Sequence, residues 1–569
     1  MNSTLFEQIL AARGLDDEAN RAAFLNPKYE EGHDPFLLPD MQTAVERLLE
    51  AYKNQEHITI YGDYDIDGLT ATTVLLDAFE SFGFEHVDAF IPNRFVEGYG
   101  LTIGAVEKIA NPPSGGGATL IVTVDCGSLS TKEIVRAKEL GMDVIVTDHH
   151  NVLKVQPPAV AVINPKRLLQ DLPDEYENFI LKKESSHQGK VYPFLDIPGV
   201  GVAFKLVQAL QTKLEGLEKG HEKWLLDLVA LGTVCDVVTL RDENRMHVFW
   251  GLKVLSQTRR PGLKALMAVS KVEPAKVNAR SLGFGLGPRM NAAGRLETAQ
   301  IALDMLRAKD GMEAYELAEQ LDAMNLARRT DQDAIFKEAI VQAETYKNDN
   351  VLVVSAPGWN HGIIGIVAAK LLEKYKKPTY VLQEMGEESK GSARSYGDFS
   401  AADAIRASDD IITKGGGHVF AAGVTMPTEN IAAFRTRVNE YYRSLKLGDQ
   451  ESLLLPSADV TVQFEDVHEA LIDELVALEP FGSANPQPVL KSENLTVVNV
   501  RKMGADNQHV KLEVVSTSKK KMQLLAFNAP SHFFAERGEV INAWYQPDVN
   551  EWQGRRTVEG RLLRVERRE

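Results

Sequence analysis

The sequence predicts an α/β protein: two α/β domains joined by a long helix and followed by a small β-barrel. Three observations carry that expectation. From His57 to Asn164, nearly continuous apolar strands alternate with amphipathic helices, the pattern of a parallel sheet covered on both faces. Residues 312–346 then keep helical periodicity with few breakers. Beyond about residue 455, short strands separated by turn residues dominate.

In chain order, residues 1–50 read as a helical lead-in interrupted by Gly14, Pro27, Pro35 and Pro39. The first α/β domain, 51–310, opens with the strand HITIYGD and the helix LTATTVLLDAFESFG. The strands VDAFIPN and TLIVTVD, the helix TKEIVRAKELG and the strands MDVIVTD and AVAVIN follow. A Pro- and Lys-containing insertion spans 166–195, and helices are expected at 199–215 and 222–232. A connecting helix occupies 311–348, its a/d pattern too irregular for a coiled coil. The second α/β domain, 349–450, carries the strand VLVVSAP, the helix GIIGIVAAKLLEKY and the strands PTYVL and AAGVTM. The barrel, 451–569, is built from LTVVNVRKM, HVKLEVVST, MQLLAFN, VINAWYQ and RRTVEGRLLRVE.

At 569 residues the chain exceeds what one hydrophobic core can serve. The net charge of −17 argues against a polyanionic partner until it is divided along the chain. From Lys491 onward there are 14 Lys+Arg against 10 Asp+Glu, a net of +4, which leaves −21 for residues 1–490. An acidic body with a basic appendage is the result. Two cysteines, Cys126 and Cys235, exclude a disulfide framework and suit a reducing cytoplasm. Both are expected to be small buried residues. The N-terminal stretch reads as an amphipathic helix rather than a signal peptide, and no run approaches the roughly 18 apolar residues of a membrane span.

The chemistry concentrates in Tyr61–Gly68, YGDYDIDG, where Asp63, Asp65 and Asp67 stand at alternate positions after an apolar strand. Three carboxylates so close repel one another, and a bound divalent cation neutralises them most economically. Asp125 in VDCG and Asp148-His149-His150 in TDHH repeat the theme at strand ends, and Asp236 in VCD, delivered by the helix expected at 222–232, arrives from outside the sheet to close the ring. A lone acidic turn is common on surfaces. Three such segments at the C-terminal edge of one sheet, where open α/β sheets place ligands, with a fourth closing the ring, are not. Asp and His in this proportion suit manganese or magnesium.

YGDYDIDG, VDCG, DHH, GTVCDVV, GPRMNAAGR, GSARS, GGGH and LEPFG, in this order along essentially the whole chain, resemble the DHH phosphoesterase superfamily and its RecJ branch. That resemblance implies a DHH domain, a DHH-associated domain and an OB-type barrel. It implies an exonuclease degrading single-stranded DNA from a free 5′ end to mononucleotides, in repair and recombination, with two Mn²⁺ or Mg²⁺ ions. By the same resemblance Asp63, Asp65, Asp67, Asp125, His149 and Asp236 are metal ligands, with Asp125 and Asp236 as bridging candidates. His150 meets the scissile phosphate or assists proton transfer, and Asp148 orients a histidine. A monomer working with a single-strand-binding protein and a helicase, away from membranes, completes the expectation.

Arg94 and Tyr99 are a cation and an aromatic five residues apart in a loop after a strand, where an exposed loop arginine is the bland alternative; the resemblance implies that they contact the terminal phosphate and base of the substrate. Ser392 and Arg394 in GSARS read as a glycine-containing turn that cradles phosphate. Gly416, Gly417 and His418 allow close backbone approach. Arg289, Asn291 and Arg295 lie near a helix start, where the bland alternative is an Arg-capped turn tying domains together. In the barrel, Lys502, Lys511, Lys519, Lys520, Lys521, Arg555 and Arg556 accompany Phe527, Trp544, Tyr545 and Trp552, the mixture single-strand binders use. Two rival readings share the motifs. One is a DHH-type oligoribonuclease, nucleotide phosphatase or pyrophosphatase on short substrates, which needs no basic barrel. The other is a non-catalytic replication scaffold, which need not keep a full carboxylate set.

Overall fold

The computed structural model describes residues 4–113, 115–171 and 191–567. It forms two compact units, one comprising Met1–Asn291, Ala299–Glu319 and Pro456–Glu569, the other Ala292–Thr298 and Gln320–Leu455.

In the first unit, α1 (Leu5–Ala12) and α2 (Glu18–Leu25) are capped by the side chains of Thr4 and Asp17, which accept backbone N–H groups of the first turn. α3 (Met41–Asn54) is longer than the short helices expected of a lead-in, and packs its apolar stripe against the sheet strand β5 (Ala161–Ile163). The sheet is built from β1 (Ile58–Gly62), β2 (Val87–Phe90), β3 (Leu120–Val124), β4 (Asp143–Thr147) and β5. α4 (Ile66–Phe82), α5 (Ile103–Ala110) and α6 (Thr131–Glu139) connect them, α5 being a helix the periodicity did not announce. All strands are parallel in the order β2-β1-β3-β4-β5. The chain leaves β1 toward β2 and returns to β3 on the other side. The C-terminal ends of β1 and β3 therefore flank a topological switch point, where such sheets open a crevice.

The helices expected at 199–215 and 222–232 are displaced. α7 (Gly199–Leu210) ends early, and α8 (Leu226–Cys235) starts late behind a 3-10 turn at His221–Leu225. Residues 172–190 of the expected insertion lie outside the described residues. α9 (Asp242–Leu255) and α10 (Pro261–Val269) follow, and a π-helical turn, Ser281–Leu286, leads into α11 (Gly287–Leu296) and α12 (Gln300–Arg307). The long helix α13 runs over Gly311–Thr345, 35 residues without a break.

The second unit has β6 (Leu352–Pro357), α14 (Ile364–Tyr375), β7 (Thr379–Met385), β8 (Glu388–Arg394), α15 (Ala401–Arg406), β9 (Lys414–Gly417), β10 (Ala421–Pro427) and α16 (Ile431–Ser444). Its sheet order is β6-β7-β8-β10-β9, parallel between β6 and β7 and antiparallel elsewhere. Two sequence expectations change here. GSARS is not a turn: Gly391–Arg394 lie in β8, fully paired with β7 and β10. GGGH supplies an exposed edge strand, β9, followed by His418.

The C-terminal part of the first unit is a closed barrel. β11 (Val460–Thr461) adds in parallel to β12 (Leu490–Met503), and α17 (Glu469–Leu475) lies between them in sequence. β12, β13 (His509–Val515), β14 (Lys521–Ala526), β16 (Arg555–Arg567) and β15 (Val540–Trp552) pair in a ring that closes through β12–β15. Its core takes in Ile9 and Leu10 of α1. Arg13 fastens that helix through Asp459 at 2.8 Å and Asn485 at 2.9 Å. Buried Arg245 of α9 donates to the carbonyls of Phe24, Leu478, Glu479 and Pro480. Tyr545 is buried and Phe527 exposed, while Trp544, also buried, is flanked by Lys491 and Arg564.

Candidate metal centre

At the switch point the backbone itself sets the carboxylates. Asp63 directly follows β1, and Asp65 caps α4, its Oδ1 accepting the N–H groups of Asp67 at 2.9 Å and Gly68 at 3.2 Å. Position 68 must be glycine: a Cβ there would stand 2.5–2.7 Å from the Asp63 backbone. Asp67, in the first turn of α4, accepts the Gly199 and Val200 N–H groups at 2.6 and 2.8 Å. The N-terminus of α7 thus holds one carboxylate in place. Asp125 follows β3 with a left-handed φ of 61°, a strained conformation that turns its side chain among the others. Asp236 is the C-cap of α8.

The distances join these segments. His149 Nε2 lies 3.1 Å from Asp125 Oδ1, and 3.7 Å from both Asp67 Oδ2 and Asp236 Oδ2. His150 Nδ1 is 2.9 Å from Asp148 Oδ1 and 3.8 Å from Asp125 Oδ1. Three groups have ligand atoms close enough to share an ion: Asp63-Asp65-Asp125, Asp67-His149-Asp236 and Asp125-His149-His150. Asp148 accepts the N–H groups of Ser128, His149 and His150, which fixes the loop carrying both histidines. Asn164 adds a brace, donating to Ser128 Oγ and the His150 carbonyl.

Electrostatics alone leaves this cluster unsatisfied. Burial, followed by repulsion from Asp65, pushes the Asp63 carboxyl well up; for Asp125 the causes are burial and then Asp67. The same pair of causes, burial and a neighbouring carboxylate, raises Asp67 to about 7 and Asp236 to about 9. Burial, aided by His150, lowers His149 to about 3, so its imidazole is neutral. Burial opposes protonation of His150, but the Asp148 hydrogen bond and the surrounding carboxylates outweigh it and raise it. Asp148 is lowered despite its burial, held ionised by His150. Asp63 Oδ1, Asp125 Oδ1 and His149 Nε2 are buried without a hydrogen-bond partner. Neutral imidazole and clustered oxygen donors are what a divalent cation requires, and the residues fit one.

The remaining expected site residues are distributed between the units. In the first, Tyr99 meets the His150 ring edge-on at 5.7 Å, and the Arg94 guanidinium lies 5.3 Å from the Tyr64 ring centre, between Asp63 and Asp65 in sequence. Arg289 donates to Gly285 O at 2.7 Å, and Asn291 is half-buried on α11. In the second unit, Arg295 donates to Gly362 O at 2.9 Å. Ser392 and Arg394 face the start of α14, where an ideal Cβ on Gly365 would lie 3.0 Å from Ser392 Oγ and 3.2 Å from Arg394 Nη2. A helix N-terminus, a hydroxyl and a guanidinium thus meet, an anion-binding combination. Gly416, Gly417 and His418 occupy or adjoin the exposed edge β9. Sequence reading missed the Gly199 and Val200 donors, Asn164 and the α14 terminus; PGVG and NPK, glycine or proline at helix starts, were the available signals.

Three family models match successive parts of the chain. Residues 57–233 match the DHH family N-terminal domain, 348–444 the DHHA1 domain and 458–563 the RecJ OB domain. The single-stranded-DNA-specific exonuclease RecJ of Bacillus subtilis is 36% identical over 97% of this chain, which spans 66% of that relative. RecJ of Escherichia coli is 32% identical, covering 98% of this chain and 94% of its own. Among solved structures, RecJ from Thermus thermophilus in complex with Mn²⁺ superposes with a TM-score of 0.81 at 27% identity, covering 99% of this chain and 76% of that one. Its complex with Mg²⁺ gives 0.75, at 26% identity over 99% and 74%.

Proposed function

The chain belongs to the RecJ family of single-stranded-DNA-specific exonucleases, and on that premise we propose that it hydrolyses single-stranded DNA from a free 5′ end to 5′-mononucleotides using two Mn²⁺ or Mg²⁺ ions. One observation carries the reading: donors from β1, α4, β3, the loop after β4 and the end of α8 converge at one switch point with buried ligand atoms left unpaired. Asp63, Asp65, Asp67, Asp125, His149 and Asp236 would hold the two ions, Asp125 and His149 each belonging to two of the three groups of ligand atoms. When bound, the pair would polarise the phosphoryl oxygens and activate water for in-line attack.

The protein's own groups do the rest. Asp148 fixes the His150 ring through Nδ1, so Nε2 points away from it to grip a phosphate oxygen or move a proton. Arg94 and Tyr99 take the terminal phosphate and its base. Ser392, Arg394 and the α14 N-terminus form a phosphate cradle, and Arg289, Asn291, Arg295, Gly416, Gly417 and His418 contact the strand. We place the enzyme in the cytoplasm as a monomer, acting in DNA repair and recombination beside a single-strand-binding protein and a helicase. Free Cys126, buried, and Cys235, half-buried, suit that compartment. Among the described residues no helix is long and apolar enough to cross a membrane. The short-substrate and scaffold readings are not favoured, since the full ligand set and the family's OB domain are both present. Digestion of single and double strands labelled at either end, with each metal in turn, tests the proposal. Release of labelled mononucleotide from the 5′ end of single strands only is expected; release from the 3′ end, or equal attack on duplex, overturns it.

A further inference from the structure

The loop after β2 turns its side chains opposite to their polarity. Phe95, Val96 and Tyr99 are exposed, whereas Glu97, the acid among them, has a side chain only 11% exposed. A carboxylate goes inward past apolar neighbours only where donors hold it. Glu97 has two. Its Oε2 accepts the Asn93 N–H at 2.8 Å, and its Oε1 accepts from the Lys108 ammonium of α5, also at 2.8 Å. Desolvation opposes ionisation, but the Lys108 hydrogen bond and the Asn93 N–H outweigh it and hold the carboxyl below its ordinary range.

Asn93 is the other half of the clasp. Its carbonyl accepts the N–H groups of Val96, Glu97 and Gly98 at 3.1, 2.8 and 3.3 Å, and its Oδ1 accepts that of Phe95 at 2.9 Å. The turn from Asn93 to Gly98 is therefore closed on itself, with Arg94 inside the closure. Gly98 and Gly100, with left-handed φ of 86° and 78°, lead the chain out of it, and the buried Tyr61 hydroxyl of β1 donates to Gly100 O at 2.9 Å. Arg94 is thereby held 5.3 Å from the Tyr64 ring centre, where its charge reaches Asp63. A guanidinium on a loop already fixed loses little freedom when it meets a phosphate.

We propose that Glu97 is a positioning residue for end recognition: by bridging the Asn93 N–H and Lys108 it holds the turn that aims Arg94 at the terminal phosphate of the strand. The inference rests on the reading of Arg94 as the terminal-phosphate contact and deepens it, since Glu97 acts through Arg94 and touches no substrate itself.

Steady-state cleavage of one single strand bearing either a 5′-phosphate or a 5′-hydroxyl tests it, with kcat and KM measured separately. Glu97→Ala should raise KM for the phosphorylated strand roughly 10-fold, change kcat by less than about twofold and leave the hydroxyl strand as in the wild type. Glu97→Gln, whose amide oxygen can still accept the Asn93 N–H, should restore most of the loss, and Lys108→Met should raise the same KM about 3-fold. Combining Glu97→Ala with Arg94→Ala should add nothing to Arg94→Ala alone, because both act through one contact. Glu273→Ala, which breaks an exposed ion pair with Lys276 at 3.0 Å, serves as control and should alter neither strand. Loss of phosphate preference in Arg94→Ala but not in Glu97→Ala overturns the positioning role and leaves the Arg94 reading intact. Preference retained by Arg94→Ala overturns that reading and the positioning role with it. A fall in kcat shared by both strands in Glu97→Ala, or additive losses in the double variant, marks general damage to the fold and also overturns the proposal.

Discussion

At the residue scale the cluster makes sense only as a place for cations. Asp125→Ala or Asp65→Ala should reduce hydrolysis to below about one-hundredth while leaving strand binding largely intact; substantial turnover in Mn²⁺ would contradict the ligand assignment. Asp148→Asn keeps the shape but loses the charge that fixes His150, and should cost about 10- to 100-fold in activity. Chelation has a pH signature. Carboxyls raised to about 7 and 9 hold protons when no ion is bound. Because the folded values exceed the unfolded value near 4, the metal-free protein loses stability as pH rises through that interval. The gain in Tm on adding Mn²⁺, followed by calorimetry, should therefore be larger at pH 8.5 than at pH 6. Arg94→Ala should erase the preference for a 5′-phosphorylated end more than it slows cleavage of an unphosphorylated one.

At the scale of elements, α7 and α9 meet over a fully buried polar knot. Glu243 contacts Lys205 and Tyr192 closely and accepts the His33 N–H at 2.8 Å, while Lys205 donates to the His33 carbonyl at 2.7 Å. His247 sits beside them against Phe204, ring centres 5.5 Å apart, with both nitrogens unpartnered. Burial lowers it to about 4 although Glu243 pulls the other way. A histidine whose folded value lies below the unfolded one stabilises the fold above about pH 6.5 and loses that contribution as pH falls toward 4, of order 3 kcal/mol. His247→Phe should flatten that part of the stability profile; an unchanged slope would place the acid sensitivity elsewhere. Elements differed in how plainly the sequence announced them. β1, β3 and β4 were readable because burial on both faces makes them continuously apolar. β8 was hidden because Glu388–Arg394 reads ESKGSAR, small and polar residues whose pairing with β7 and β10 comes from the backbone. The acidic motifs declared their own side chains, but the Gly199 and Val200 donors are backbone groups that no residue type advertises.

For the whole molecule, the barrel is no detachable appendage within its unit. Arg245, buried and lowered to about 10 chiefly by its burial, feeds carbonyls of the lead-in and of the segment before β12. Arg245→Leu should strand those acceptors at about 1–3 kcal/mol each, seen as a lower calorimetric Tm. Removing residues 455–569 would do the same damage, so charge substitutions on the barrel are the cleaner measure of its grip on DNA. One feature of the metal centre reaches back to synthesis. Asp63, Asp65 and Asp67 emerge from the ribosome long before Asp236, and α8 must dock before the ring of ligands is complete. A half-made chain therefore lacks the Asp236 carboxylate, and a complete set of cation donors waits on the synthesis and docking of α8.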